Sequence, residues 1–484
     1  MSAAPQILNK DRIAAAPARI ARGPAVIIAR RFGLAGLGLL LFSGFSAAHA
    51  QTLTQALAET YNTNPQLLAQ RALLRATDEE VPQALSGWRP TVNFTGQVGG
   101  ARSGFTTSAL PSRYSTFFQN QVNLAVTQSI YSGGRTLAQT RQAMNTVEST
   151  RAQTLEIETT VFQAVAMAYL DVVRDQALVE VDRNNVEVLR KQLEATQDRF
   201  RVGEVTRTDV AQAEASLAQG QGTLTTAEGT LAQSRAEYVR AVGHPPGILL
   251  LPRERPALPA TREETQSLAA NNNFSVISAN FAELAARDNI DVVKSQLLPQ
   301  VSLVGTVQRL FAPTISLSGS RENEASIVAQ MTWTMYEGGA LYSQTRQAQQ
   351  TVGQRLSQVD DARRAAVQTA TDAWETLKAA RASISSFAAA VRAAQIALEG
   401  TQQEALVGTA TTLDVLIQNQ TLLTTQQQLI VAEHDSALAE FNVAAATGRL
   451  TAADLHLPVQ LYDMERHFKQ VRDKWAGFRG GLSQ

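Results

Sequence analysis

"SIYSGGRTLAQTRQA" at residues 129–143 returns as "TMYEGGALYSQTRQA" at residues 334–348. Tyr131, Gly133, Gly134, Gln139, Thr140, Arg141, Gln142 and Ala143 each recur 205 residues later. The same offset relates "RVGEVTRTDV" at 201–210 to "LVGTATTLDV" at 406–415, so that Gly203, Thr206 and Asp209 match Gly408, Thr411 and Asp414. Upstream the offset is 209: Asn64 matches Asn273, and Pro90 in "SGWRPTVNF" matches Pro299 in "SQLLPQVSL". The four-residue change falls between Pro90 and Tyr131, where a surface loop absorbs it. Between the copies, "GHPPGILLLPRERPALPA" at 243–260 holds five of the chain's 15 prolines and reads as an extended linker. The chain is a tandem duplication.

The chain of 484 residues has no cysteine, which excludes disulfides, thiolate metal sites, a cysteine nucleophile and an N-terminal lipid anchor on cysteine. Residues 1–50 read as an export signal: scattered arginines ending at Arg30 and Arg31, the apolar run "FGLAGLGLLLFSGFSAA", then Ala48, His49 and Ala50 as a cleavage site. Ordinary secretion fits better than twin-arginine export, and the mature chain is expected to begin at Gln51. Six of the 43 basic residues and one of the 43 acidic ones lie in that leader, so the remainder carries a net charge of −5. That charge argues against a nucleic-acid partner. After the leader, no stretch offers 18 uninterrupted apolar residues, so a helical membrane span is not expected.

From Arg135 to Val202 there is neither Gly nor Pro. A helix of that length extends roughly 100 Å, more than a compact core needs. Val165, Val172, Val179, Val186, Leu193 and Phe200 recur every seven residues, and their copies are Ala370, Leu377, Ile384, Val391, Leu398 and Ala405. A seven-residue seam implies left-handed supercoiling against neighbouring helices. Periodicity alone allows a plain antiparallel coiled coil.

The expected strands change that reading. In "FFQNQVNLAVTQSIY" (117–131), Phe118, Val122, Leu124, Val126 and Ile130 share one face, interrupted by Asn120 and Gln128, while Gln119, Gln121, Asn123, Ala125, Thr127 and Ser129 share the other. In "ASIVAQMTWTMY" (325–336), Ile327, Ala329, Met331, Trp333 and Met335 lie opposite Ser326, Gln330, Thr332 and Thr334. "RPTVNFTGQVGGARSGF" and "LPQVSLVGTVQRLF" are their expected partners. Apolar-out, polar-in alternation marks membrane β-strands. Four such strands cannot close a barrel, and open edges in lipid cost several kcal/mol per unsatisfied group, so the barrel must be shared between subunits. Two copies would supply eight strands and a filled lumen, three would supply twelve and a channel. A soluble sandwich of two hairpins is the competing reading.

These residues resemble the TolC family of bacterial outer-membrane export channels over about 51–450. The likeness rests on the duplication, the Tyr-x-Gly-Gly step at Tyr131 and Tyr336, and the Val-Gly-x-x-Thr-x-x-Asp-Val turn at 202–210 and 407–415. It implies an α+β membrane protein: a homotrimer with a twelve-stranded β-barrel in the outer membrane, continuous with a twelve-helix α-barrel in the periplasm. It implies no chemistry and no cofactor. The implied partners are outer-membrane lipid, a periplasmic adaptor (membrane fusion) protein and an inner-membrane ABC transporter. The tail "DLHLPVQLYDMERHFKQVRDKW" resembles the type I protein-secretion branch, and the missing lipid-anchor cysteine fits it, since many drug-efflux relatives are lipoproteins. Multidrug efflux is the alternative. A periplasmic scaffold without a pore is a further reading, disfavoured by the two strand hairpins.

The expected organisation is a signal peptide (1–50), a first repeat (51–242; strands about 89–131, long helix about 135–202), a Pro-rich linker (243–262), a second repeat (263–450; strands about 298–336, long helix about 340–406) and a C-terminal extension (451–484). Within each repeat the expected order is helix, strand, strand, very long helix, tight turn, helix. Thr206 with Asp209, and Thr411 with Asp414, have capping-box spacing, and Gly203 and Gly408 suit the left-handed residue ending the preceding helix. These six are the expected periplasmic tip and adaptor contact, with Asp414 a candidate pore constriction. Where some family members carry an Arg and a second Asp at the tip, this chain has Ala410 and Ile417, so neither a salt-bridge latch nor a second acidic ring carries over. Tyr131, Gly133, Gly134, Tyr336, Gly338 and Gly339 are the expected strand-to-helix swivel. Trp88 and Trp333, with Tyr131 and Tyr336, are candidate membrane-interface aromatics. Arg141 and Arg346 read as interhelical or solvated. His49, His244, His434, His456 and His467 show no metal-ligand spacing, and no phosphate-binding loop or nucleophile–base set is present.

Overall fold

The computed structural model describes residues 51–107, 110–252, 255–311 and 320–478. The expected signal at 1–50 and the last six residues of the C-terminal extension lie outside them. Each repeat opens on helices broken at an asparagine. Helix α1 (Leu53–Thr63) starts at a capping box in which Thr52 Oγ1 accepts from Gln55 N (3.3 Å) and Gln55 Oε1 accepts from Thr52 N (3.1 Å). Asn64 then ends α1, and its Oδ1 accepts from the amides of Gln66 and Leu67 to start α2 (Pro65–Asp78), which α3 (Glu80–Leu85) follows. The second repeat repeats the device: α6 (Arg262–Asn272) gives way to α7 (Phe274–Lys294), with Asn273 Oδ1 accepting from Ser275 N (3.0 Å). The single helix expected before each strand pair is therefore corrected to a broken one. An Asn side chain offers the next turn's amides a cap that competes with helix continuation.

Strands β1 (Thr91–Thr107), β2 (Leu110–Ser132), β3 (Gln300–Phe311) and β4 (Arg321–Thr332) form one antiparallel sheet in that order. Phe94 stands opposite Leu124, Leu124 opposite Val307, and Val307 opposite Ala325. These and their i±2 neighbours share one face, on which Val98 is 84% and Ile327 79% exposed. On the other face Thr95, Asn123, Gln308 and Glu324 align, Gln121 Nε2 donates to Gln308 Oε1 (3.3 Å) and Thr306 meets Ser326 (2.7 Å). A bulge between Ser129 and Tyr131 sets Tyr131 opposite Val301. It breaks the strict alternation expected through Ile130. Strand β4 stops at Thr332, so Trp333, Met335 and Tyr336, expected on a strand, lie beyond its end. The matching end of β2 reaches Ser132 because β3 lies beside it, whereas among the described residues β4 has no further strand alongside.

Helices α4 (Arg135–Arg201) and α8 (Ala340–Leu406) are 67 residues each, about 100 Å at 1.5 Å per residue. Helices α5 (Arg207–Val242) and α9 (Thr412–Ala446) fold back along them. The largest cluster of buried side chains gathers where both repeats meet: Phe162, Val165, Tyr169 and Val172 pack with Leu53, Leu57, Leu67, Tyr238, Phe441 and Leu450. Of the heptad seam, Val165, Val172, Val179 and Val186 are buried, but Phe200 near the tip is 44% exposed. In the second repeat Ala370, Leu377 and Leu398 are buried while Ile384, Val391 and Ala405 are only partly so. The two rods differ sharply as a whole: 26 residues of α4 are buried and only 10 of α8. Helix α7 packs along both rods, but α4 is flanked in addition by α1, α2 and α3 of its own repeat and by α9 of the other, whereas α8 adds only α6 and its return helix α9 among its main neighbours. Asn145 Nδ2 donates to Asp288 Oδ2 (2.6 Å), Ser149 Oγ donates to the Ser278 carbonyl (3.0 Å), and the half-exposed Arg141 lies 3.9 Å from Asp291.

The linker and tail are tied to this core. Tyr169 Oη stands within hydrogen-bond distance of the carbonyls of Leu250 (2.8 Å) and Gln51 (2.9 Å), which share its single proton. Glu440 of α9, 2% exposed, receives Arg255 of the linker and Arg381 of α8 on one oxygen, each at 2.9 Å. Past α9, Tyr462 N donates to Tyr61 Oη (2.9 Å), and His467, in α10 (Arg466–Val471), contacts Asp78 (3.1 Å). Arg89 Nη1 donates to the Lys474 carbonyl (2.7 Å) and stacks over Trp475, which brings the tail to the foot of β1.

A buried ionic network joins the repeats. His434 of α9 places Nε2 3.0 Å from Asp171 of α4 and Nδ1 2.9 Å from Asp435, while Arg174 contacts Asp171 and Asp175 at 2.8 Å. Burial by itself would lower the His434 pKa, but Asp171 and Asp435 outweigh it and raise it above the ordinary value. Burial likewise opposes ionisation of Asp171, and His434 with Arg174 outweighs it, so its pKa falls. A raised imidazole pKa contributes stability that is complete below the unfolded value of about 6.5 and is lost as pH rises through the folded value. His434→Gln is expected to cost on the order of 3 kcal/mol at pH 6. Thermal unfolding of the detergent-solubilised protein should show the gap between wild type and variant narrowing as pH rises past neutrality. A gap independent of pH would contradict this.

Candidate functional site

At the end of α4, Gly203 has φ +81° and lets Glu204 N reach back to the Arg199 carbonyl (2.9 Å). Gly408 does the same after α8, with φ +84° and Thr409 N on the Glu404 carbonyl (3.0 Å). These are the six-to-one closures that left-handed glycines permit. Three residues on, a capping box starts the return helix. Thr206 N and Oγ1 both donate to Asp209 Oδ2 at 2.8 Å, and Thr206 Oγ1 accepts from Asp209 N (3.3 Å). Thr411 and Asp414 repeat the set at 2.9, 2.6 and 3.2 Å. Hydrogen bonds from Thr206 hold the Asp209 pKa below the usual carboxylate range, and those from Thr411 do so for Asp414. Both corners therefore carry a fixed negative charge at neutral pH.

Sequence reasoning named the corner's polar residues and missed its apolar ones. Leu406 and Val407 are 78% and 75% exposed, and Val202 is similarly bare. Their signal was present: an apolar pair directly before the corner glycine, where a soluble helix end would carry polar residues. The corners also differ in one respect, since Arg199 pairs with Glu204 (3.1 Å) in the first and the second has Glu404 and Thr409 at those places.

At the other end of each rod, Gly133 and Gly134 (φ +65° and +81°) and Gly338 and Gly339 (φ +62° and +88°) turn the chain from sheet to helix. Two successive left-handed residues are open to glycine and strained for other L-residues. Their surroundings differ. A Cβ on Gly133 would lie 2.4 Å from the Ser295 carbonyl oxygen and 2.9 Å from Leu298 Cβ, whereas one on Gly338 would meet nothing within 4 Å. Trp88 and Trp333 are each about half exposed at this level; the Trp88 carbonyl accepts from Gln128 Nε2, and Trp333 Nε1 donates to the Leu297 carbonyl, each at 3.0 Å. Tyr131 and Tyr336 are exposed beside them. The tip and swivel residues thus sit at opposite ends of the rods and form no common pocket. Among the described residues there is no cluster of His, Asp and Glu able to hold a metal ion, and no helix long and apolar enough to cross a membrane.

Two β-hairpins with a bare apolar face, each feeding a 67-residue rod through a double glycine, meet a sequence match to the outer membrane efflux proteins over residues 55–244 and 266–449. The chain belongs to that family. Among relatives, it is 33% identical to the outer membrane efflux protein BepC of Brucella suis biovar 1, over 90% of this chain and 93% of that one. It is 27% identical to the outer membrane protein TolC of Salmonella enteritidis, over 87% and 86%. It is 25% identical to the alkaline protease secretion protein AprF of Pseudomonas aeruginosa, over 65% and 66%. Among solved structures, CusC superposes with a TM-score of 0.73 at 16% identity, covering 82% of this chain and 92% of that one, which is a likeness of fold. The family places this chain in the outer membrane, with its helices in the periplasm, as the efflux channel of a tripartite system and not as an enzyme.

Proposed function

We propose that three copies of the chain close into a twelve-stranded barrel and twelve-helix tube, and that this homotrimer is a passive exit duct. A periplasmic adaptor would join it to an inner-membrane ABC transporter. The unequal burial of α4 and α8 carries the reading: two rods of equal length and duplicated origin differ because α4 is packed by α7 and α9 of the other repeat besides the helices of its own, whereas α8 packs mainly against α6, α7 and α9 of its own repeat. The repeat offsets say what should cover α8. Gly133 packs on Ser295 and Leu298, so Gly338 should pack on Ser86 and Arg89 of the next copy. Tyr131 pairs with Val301, so Tyr336 should pair with Val92 of the next copy, which extends β4 and removes both open edges.

In the trimer six corners ring the periplasmic mouth. Gly203, Thr206, Asp209, Gly408, Thr411 and Asp414, with the bare Val202, Leu406 and Val407, offer the adaptor an apolar rim with fixed negative charges. Three copies of Asp414 form the candidate constriction. The cargo route most consistent with the tail and with the AprF likeness is type I protein secretion. The BepC likeness favours efflux as the second reading.

Because the chain has no cysteine, V92C/Y336C tests the ring cleanly. Opposed residues of a ladder have Cα atoms roughly 4.5–5.5 Å apart, within disulfide range. Oxidised outer membranes should show covalent dimers and trimers on non-reducing gels, and neither single variant should form trimers. Monomer alone from the double variant would reject the pairing. For the route, deleting the gene should abolish export of a secreted protein; an unchanged secretome with sensitivity to drugs or detergents would replace secretion by efflux.

A further inference from the structure

The strands segregate charge at the end farthest from the rods. On the apolar face, the run Val301, Leu303, Val307 continues as Arg309 and Phe311, and Met331, Ala329, Ile327, Ala325 continues as Asn323 and Arg321. Arg309 and Arg321 both stand over the single ring of Phe311, at 5.2 and 5.6 Å from its centroid. The first hairpin carries a like pair on the same face, Arg102 over Tyr114 at 5.3 Å. Neither Arg309, Arg321 nor Arg102 has a carboxylate partner among the described residues. The acids of this region, Glu322 and Glu324, project from the opposite, polar face, where Gln308 donates to Glu324. The ring holds the two guanidinium groups together, and with no acid between them their donors are left for an anion.

Height fixes what that anion is. From Met331 to Arg321 the strand climbs about 33 Å along its own axis, and a tilt of 35–45° reduces this to about 25 Å, the height of a barrel's apolar band. The arginines therefore stand where acyl chains end and headgroups begin, at the face turned away from the cell.

We propose that Arg309 and Arg321, buttressed by Phe311, form a binding surface for the phosphate of an anionic glycolipid in the outer leaflet, with Arg102 and Tyr114 as a second point of contact. Guanidinium forks suit phosphate oxygens, and the ring holds both side chains toward the lipid while the luminal carboxylates remain on the other side of the sheet. The proposal rests on the barrel reading, since only a closed sheet turns this face to lipid.

The test uses the full-length detergent-purified protein and native mass spectrometry with diphosphoryl lipid A, its dephosphorylated form, and inorganic phosphate as competitor. Wild type should retain diphosphoryl lipid A at least tenfold better than the dephosphorylated form, and R309Q/R321Q should lose that preference. Millimolar inorganic phosphate should not displace the lipid; displacement would point to a free-anion site and overturn the proposal. So would equal retention by R309Q/R321Q and wild type. Heat-modifiable trimer from both proteins shows that the barrel itself is intact, so failure of the barrel reading is seen separately as loss of that trimer. R309K/R321K should recover part of the lost binding, which a merely structural effect of the glutamines would not produce.

Discussion

Gly133→Ala is expected to leave almost no heat-modifiable oligomer in the outer membrane, whereas Gly338→Ala should leave a folded chain that assembles poorly. Both positions have a left-handed backbone, φ +65° and +62°, which costs a residue with a Cβ about 1–2 kcal/mol. Beyond that they diverge. The new methyl group at Gly133 would be driven to 2.4 Å from the Ser295 carbonyl oxygen, a backbone atom in the turn that launches β3. Neither side can yield without moving the strand entry or the start of α4, so the cost should reach several kcal/mol. At Gly338 the same methyl meets open space in one chain. Protease resistance of the extracted protein, compared with the yield of oligomer, separates the two. Loss of protease resistance in both variants would show that strain alone decides, and normal oligomer from Gly338→Ala would argue against a neighbouring subunit at that place.

Glu440→Ala should cost on the order of 3 kcal/mol, the size seen when one member of a buried ion pair is removed. Glu440 is almost wholly buried, and its Oε1 holds Arg255 and Arg381 together. Removing it leaves two guanidinium groups facing each other and unpins the linker from α9. Thermal unfolding should drop accordingly, and limited proteolysis should cut between the repeats, near Arg262, before it attacks the rods. Cleavage that begins at the tip corners in both proteins would contradict this order.

The rods were legible because helix breakers are absent from Arg135 to Val202 and paired glycines precede the run; a local property of the backbone decides whether a helix can continue. The tip corners were legible for the same reason, since a Thr-x-x-Asp box closes within four residues. The membrane face of the strands came from period-two alternation. The broken entry helices were not legible from Asn64 and Asn273 as repeat markers alone, because an asparagine interrupts a helix only where its side chain caps the next turn. The end of β4 at Thr332 was misjudged because a strand's extent depends on what lies beside it, which the alternation of Trp333 and Met335 does not report.

By itself, the sequence determined the duplication, the rods, the corners and the polarity of the sheet, all of which follow from spacing and local backbone preference. Tertiary contacts alone set the packed Gly133 apart from the bare Gly338, cover α4 with both repeats and α8 mainly with its own, bring His434 to Asp171, and place Arg309 and Arg321 on one ring. Each of these joins residues distant in sequence, or distinguishes two positions whose motifs are alike. Such differences arise from what the fold places beside a residue, and near-identical stretches of sequence carry no record of unlike neighbours.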